Sequence, residues 1–247
     1  MTQRDIQVNT PDGTSPASLH LPDSAGPRPA VILYPDAGGL RDTMRQMADR
    51  LAGLGYVTLV PDIYYRHGDW APFDMGVAFA DPAELKRIKG MISSVTADMA
   101  VRDAVAYVDL LTSLPESSGS AVGTTGYCMG GRLSLIVAGN LGDRIAAAAS
   151  IHAGNIAAAD DPDSPHHRAD SITATVYVAG ASNDASFPDE QRERLESALS
   201  LAGVRHTVET YPAAHGFAVP DNPTYDPAAG ERHWDALANL YGSALNA

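Results

Sequence analysis

Cysteine is almost missing from this chain: one residue, Cys128, stands in 247. No disulfide can form within the chain, and the thiol is expected to stay free in a reducing compartment. Cations are scarce as well. Lys and Arg number 17 against 30 Asp and Glu, giving a formal charge of -13, which argues against nucleic acid and anionic membranes, because clustered Lys and Arg hold such partners. An anionic substrate would need a local cation working against that overall field. No apolar run reaches membrane-spanning length. Residues 1–10 are polar, with Arg4 and Asp5, and lack the apolar core of a signal peptide. Cytoplasmic residence with no membrane partner is the expectation. Repeats, low-complexity linkers and composition breaks are also absent, so residues 1–247 read as one domain, monomeric or homodimeric.

Hydrophobic residues supply 45% of the chain, enough for a full core. Their pattern alternates between two kinds of segment. Residues 5–10 and 17–21 read as an antiparallel hairpin across Pro11-Asp12-Gly13. Residues 29–34 are apolar without alternation, as in a strand covered on both faces. Over 41–54, Met44, Met47, Ala48, Leu51 and Leu54 recur at helical spacing and Gly55 closes the pattern. The alternation continues with strands at 56–60, 121–125, 146–151, 175–179 and 206–211. Helices are expected at 84–92, 97–114, 130–139, 188–202 and 227–244, and a loop at 155–170. This is the signature of an α/β protein: a mostly parallel central sheet with helices on both faces, preceded by an antiparallel hairpin.

The densest chemical signal is Gly126-Tyr127-Cys128-Met129-Gly130-Gly131. It sets Cys128 on a sharp turn between a buried strand and a helix N-terminus, a nucleophile elbow with sulfur in place of the usual serine oxygen. Gly126 and Gly130 allow strand and helix to approach closely, and the helix N-terminus favours a thiolate and a developing oxyanion. A lone cysteine is otherwise a small buried hydrophobe, which is the plain alternative.

In open parallel sheets ligands bind beyond the carboxyl ends of the strands. Inspecting those ends gives Asp36-Ala37-Gly38-Gly39, then Pro61-Asp62-Ile63-Tyr64-Tyr65-Arg66, Cys128, Gly180-Ala181-Ser182-Asn183-Asp184, and His215-Gly216-Phe217. The order Cys128, Asp184, His215 is the nucleophile-acid-histidine order of α/β-hydrolases. An imidazole takes the thiol proton and later activates water, while a carboxylate on its other nitrogen fixes the tautomer. Asp62 and Asp235 are competing acids, and order and strand position favour Asp184. His166-His167 with Asp160, Asp161 and Asp163 has no ligand spacing supported by a helix or hairpin and reads as a solvated loop.

Together the cysteine motif, Asp184, His215-Gly216-Phe217 and the segment from Pro61 to Arg66 resemble the dienelactone hydrolases, or carboxymethylenebutenolidases, over nearly the whole chain. The resemblance implies an α/β-hydrolase fold and hydrolysis of an enol-lactone or activated ester through a thioester on Cys128, with no metal or organic cofactor. It implies backbone N–H donors at Ala37 and Met129 for the oxyanion. It also implies a carboxylate contacting the nucleophile at Asp36, where glutamate is common, and substrate contacts from Tyr64 and Phe217. Arg66 matches an arginine that pairs with a substrate carboxylate; the plain reading is a surface arginine paired with Asp69. A second arginine, expected shortly after the histidine motif, is missing, since Ala218-Val219-Pro220 follows. That departure allows a less anionic lactone or ester. A broad carboxylesterase and a redox-responsive or ligand-binding protein on the same scaffold are the rival functions.

Overall fold

A computed structural model describes residues 2–245; the ends of the expected domain, residue 1 and residues 246–247, lie outside the described residues. Eight strands form one sheet: β1 (Thr2–Thr10), β2 (Gly13–Leu21), β3 (Arg28–Tyr34), β4 (Val57–Pro61), β5 (Ser117–Tyr127), β6 (Ile145–Ile151), β7 (Thr175–Ala181) and β8 (His206–Tyr211). Their spatial order is β1-β2-β4-β3-β5-β6-β7-β8. β1 and β2 form the expected hairpin, Thr2 opposite Leu21 and Thr10 opposite Gly13. β2 joins β4 antiparallel, and every later pairing is parallel.

Strand side chains alternate between two cores, as the period of two requires. Ile32 and Tyr34 of β3 point into one, Val31 and Leu33 into the other. The first core receives α2 (Pro82–Ser94), α3 (Ala97–Ser113), α4 (Met129–Leu141) and α5 (Asp189–Leu201). The second receives α1 (Asp42–Gly53) and α6 (Pro227–Ala244). Local chemistry sets the helix starts. The Asp81 carboxylate accepts from the backbone N–H groups of Ala83 and Glu84 at 2.9 Å each, with Pro82 entering the first turn. At the other end of α1, Gly55 takes φ +99 just past the last turn, as its sequence position suggests.

Two expectations need correction. β5 runs on to Tyr127 rather than stopping at Thr125, because both neighbours pair with it: Gly126 with Tyr34 and Ser150, Tyr127 with Ile151. The segment 155–170 is not wholly loop. A 3₁₀ turn, Pro165–Ser171, begins in it, too short for apolar periodicity to reveal. Among the described residues, no helix is long and apolar enough to cross a membrane.

Candidate active site

The parallel strands all end on one edge, and the sharpest backbone feature there is Cys128. Its φ of 54° and ψ of -119° lie in a region that non-glycine residues rarely adopt, and such strain is retained only where the surroundings hold it. They do so here through backbone bonds: Cys128 N–H donates to Ile151 O at 3.0 Å, and Gly131 N–H to Cys128 O at 3.1 Å. The flanking glycines leave no alternative. A Cβ on Gly126 would stand 2.0 Å from Gly130 O, and one on Gly130 would stand 2.4 Å from both Tyr34 O and Pro35 O. Helix α4 begins at the next residue, Met129, so Cys128 occupies the helix N-terminus, where the macrodipole favours a thiolate.

Asp184 and His215 come from the loops after β7 and β8. His215 Nδ1 lies 2.6 Å from Asp184 Oδ2. The other oxygen, Oδ1, accepts from Ser186 N–H at 2.9 Å and Ser186 Oγ–H at 2.5 Å. Burial penalises the ionised Asp184, but the bonds from His215 and Ser186 outweigh it and hold the carboxyl below its ordinary range. Burial likewise opposes a charged His215, yet the Asp184 bond and the hydrogen bond and charge of Cys128 raise it to about 10. The imidazole is thus held by the carboxylate through Nδ1, and Cys128 is near enough to favour its charged form. Imidazole and carboxylate come together from loops 31 residues apart in the chain.

His152, directly after β6, is a member of this cluster that strand-end inspection passes over. It has φ +40° and is 1% exposed, with its ring centroid 5.2 Å from His215 and 5.2 Å from Phe217. Neither ring nitrogen has a hydrogen-bond partner. Burial, then the charge of His215, push its pKa well below the ordinary histidine value, so it is a neutral imidazole.

Four residues expected at the substrate lie differently. Asp36 is 2% exposed and directs Oδ1 to Gly38 N–H at 2.9 Å and to Arg41 Nη1 at 2.6 Å, and Oδ2 to Arg41 Nη2 at 3.0 Å. None of its hydrogen bonds runs to Cys128. Arg41, whose place after Gly-Gly carries no signal in the sequence, forks onward to Asp221 through Nε and Nη2 at 2.7 Å each.

Arg66 faces neither Asp69 nor an open site. It grips Asp103 with two bonds of 2.8 Å and Asp12 at 2.7 Å, and its guanidinium lies 4.5 Å from the Tyr65 ring centroid. Releasing it would strand Asp103, 5% exposed, at a cost of about 3 kcal/mol. Tyr64 is fully buried: its hydroxyl lies 3.0 Å from Ala37 O and 3.1 Å from Met129 Sδ, within reach of both with one proton to give. Phe217 is also fully buried, stacked on Tyr211 at 4.9 Å and edge-on to His152. Both aromatics pack the loops of the site and present no face to a ligand.

The His166 and His167 rings lie 3.9 Å apart at a tilt of 37°, with His166 Nδ1 3.0 Å from Ser164 Oγ. No group of three or more potential metal ligands occurs among the described residues.

Sheet order, with the strained turn at Cys128 after β5 and Asp184 and His215 after β7 and β8, defines an α/β-hydrolase fold. Acylaminoacyl peptidase from Pyrococcus horikoshii shares that fold: it is 13% identical, with a TM-score of 0.72 over 98% of this chain and 42% of its own. The particular family follows from the sequence match. The profile of the dienelactone hydrolase family spans residues 16–245, and the chain belongs to that family and is an ester or lactone hydrolase. A carboxymethylenebutenolidase of Pseudomonas sp. is 29% identical over 213 residues, 86% of this chain and 83% of its own. A dienelactone hydrolase-like promiscuous phosphotriesterase from metagenomic libraries is 28% identical, with a TM-score of 0.78 and 99% of both chains covered. A crystal structure from Klebsiella pneumoniae has the same fold at a TM-score of 0.84, with 21% identity over 98% of each chain.

Proposed function

We propose that the chain is a cysteine-dependent hydrolase of enol-lactones or activated esters, working as one domain in a reducing cytoplasm through a thioester acyl-enzyme. The observation that carries this reading is the strained Cys128 on the α4 N-terminus, linked to an imidazole that Asp184 holds at 2.6 Å. His215 takes the thiol proton and Asp184 fixes the tautomer and balances the imidazolium. The thiolate adds to the carbonyl carbon, and the oxygen takes up the negative charge before the backbone N–H groups of Ala37 and Met129. Collapse breaks the acyl C–O bond, and the leaving enolate or alkoxide receives the proton from His215. Water, deprotonated by His215, then adds to the thioester; the C–S bond breaks and the carboxylic acid departs with Cys128 regenerated.

Sulfur chemistry favours activated substrates. A thiolate is itself a good leaving group, so the tetrahedral intermediate reverts unless the departing oxygen is stabilised, as an enolate or phenolate is. The test is intact-mass spectrometry after mixing with an activated ester. Acyl mass on Cys128, with steady turnover that vanishes in Cys128→Ala, is the expected result. Oxidation of Cys128 to a sulfenic acid without turnover would instead support a redox-responsive protein, and simple alkyl esters hydrolysed as fast as enol-lactones would make it a broad carboxylesterase.

A further inference from the structure

Resting on that reading, we infer that the substrate is an uncharged lactone or ester, and that the site disfavours the carboxylated substrates for which carboxymethylenebutenolidases are named. Beyond His215, whose charge Asp184 faces at 2.6 Å, the cations flanking the site are arginines already held by carboxylates. Arg41 is the arginine beside Ala37, and it stands between two carboxylates, Asp36 and Asp221, with its side chain only 8% exposed. Arg66 stands between Asp103 and Asp12. Arg132, one turn beyond Cys128 on α4, is held by Asp161 at 2.7 Å and by backbone carbonyls of Asn155 and Asp163. Arg41 is outnumbered by its two carboxylates, and Arg66 with Arg102 is matched by Asp12 and Asp103, with Asp98 exposed beyond them. Asp221 is kept ionised, burial being outweighed by Arg41, and Asp12 by its bonds to Arg102 and Arg66. A substrate carboxylate would therefore meet arginines that are already neutralised or outnumbered, within a chain of net charge -13.

Apolar groups cover part of the remaining surface. Met75 Sδ and the Trp70 ring pack on the oxyanion loop so closely that a Cβ on Gly38 would fall 2.7 Å from the sulfur and one on Gly39 2.5 Å from the ring. On the other side a groove of about 210 Å³ begins at Met129; Ile92, Val95, Leu133 and Ile136 form its apolar wall, and the Arg132–Asp161 pair with Asp163 forms a charged wall in which carboxylates outnumber the cation. Thioether, indole and aliphatic walls suit an uncharged acyl or lactone body.

The experiment compares a 5-methylidene furanone with its counterpart bearing a carboxylate on the exocyclic carbon, each rate normalised to that lactone's hydrolysis by hydroxide. The expected normalised kcat/KM is about 10-fold or more in favour of the uncharged lactone at low salt, with the gap narrowing between about 0.02 and 0.5 M salt as the repulsion is screened. Asp221→Asn, which removes one carboxylate from Arg41, should raise kcat/KM for the carboxylated lactone about threefold or more without an equal rise for the uncharged one. Should that variant not fold, the salt dependence of the parent decides. Equal or better use of the carboxylated lactone by the parent overturns the inference. So does a preference that neither salt nor Asp221→Asn alters. Turnover of both lactones that persists in Cys128→Ala would instead overturn the thioester mechanism, a separate outcome.

Discussion

Two clusters lie on the same edge of the sheet and are built on opposite plans. Around Cys128 the groups are chemically open: a strained backbone, a sulfur, an imidazole with its charged form raised to about 10, and a neighbouring histidine with no hydrogen-bond partner at either nitrogen. Around Arg66 everything is closed, with the guanidinium bound to Asp12 and Asp103 and lying against Tyr65. Strain and unsatisfied groups cost stability and persist where the chemistry uses them, while saturated ion clusters hold loops in place. The difference teaches that an arginine on a catalytic edge is a receptor only if its own protein has left it free.

The comparison breaks most visibly at the open cluster. Asp184→Asn keeps the shape but removes the charge that orients His215, and kcat should fall by about 10³- to 10⁴-fold while the melting temperature stays close to the parent's. A loss of less than about tenfold would place the base elsewhere. At the closed cluster the opposite split is expected. Arg66→Ala leaves Asp103 with only the Tyr65 hydroxyl, 2.9 Å away, so unfolding in denaturant should show a loss of about 2–3 kcal/mol. Its kcat/KM on an uncharged lactone should remain within about threefold. A variant of normal stability with poor kcat/KM would return Arg66 to the substrate.

The same contrast explains what was legible in the sequence. Cys128, Asp184 and His215 each follow a strand, and the backbone alone carries them to one edge, so alternating apolar segments and a glycine-framed motif were enough to place them there. Gly126 and Gly130 announce a contact so close that no other residue fits. The partner of Arg66 depends on a hairpin turn 54 residues away and a helix 37 residues away, and that of Arg41 on Asp221, 180 residues along. Nothing local specifies them, because an ion pair needs only that two side chains meet. Asp36 illustrates the limit: its position in the loop was readable, its orientation toward Arg41 was not. Signals for two of the missed residues did exist. His152 immediately follows β6 and belonged on the list of strand-end residues, and Ser186 stands two residues after Asp184, where an aspartate typically closes a turn on the backbone.

Tyr64 sits between the clusters and sharpens the comparison with a smaller effect. Its hydroxyl reaches the carbonyl of Ala37 and the sulfur of Met129, the two residues whose N–H groups are proposed to hold the oxyanion. Tyr64→Phe keeps the buried ring and removes one hydrogen bond, about 1 kcal/mol. If that bond sets the spacing of the donors, kcat should drop about five- to tenfold with KM nearly unchanged, because the interaction matters where charge develops on the oxygen. A change confined to KM would mean that Tyr64 shapes ground-state binding.

The smallest effect is spread over pH and sets the site histidine against the buried ones. Burial lowers the pKa of His152 well below 6.5 and that of His233 to about 4, so the unfolded chain takes up protons that the folded chain refuses as pH falls below 6.5. Their stability contribution is whole above pH 6.5 and is lost progressively toward about pH 4, each group giving a slope of at most about 1.4 kcal/mol per pH unit. His215 has the opposite sign. Its folded pKa is raised to about 10, so its contribution is whole below the unfolded value of 6.5 and fades as pH climbs to about 10. Melting temperature against pH should therefore show an acid limb from the core histidines and an alkaline limb from the site. His152→Phe, which breaks no hydrogen bond, should flatten the acid limb and leave the alkaline one, whereas His215→Asn should remove the alkaline limb and soften the acid one only by the charge it no longer sets beside His152. An acid limb unchanged in His152→Phe would mean that this imidazole is protonated in the folded protein, and the open cluster would then hold a second cation beside His215.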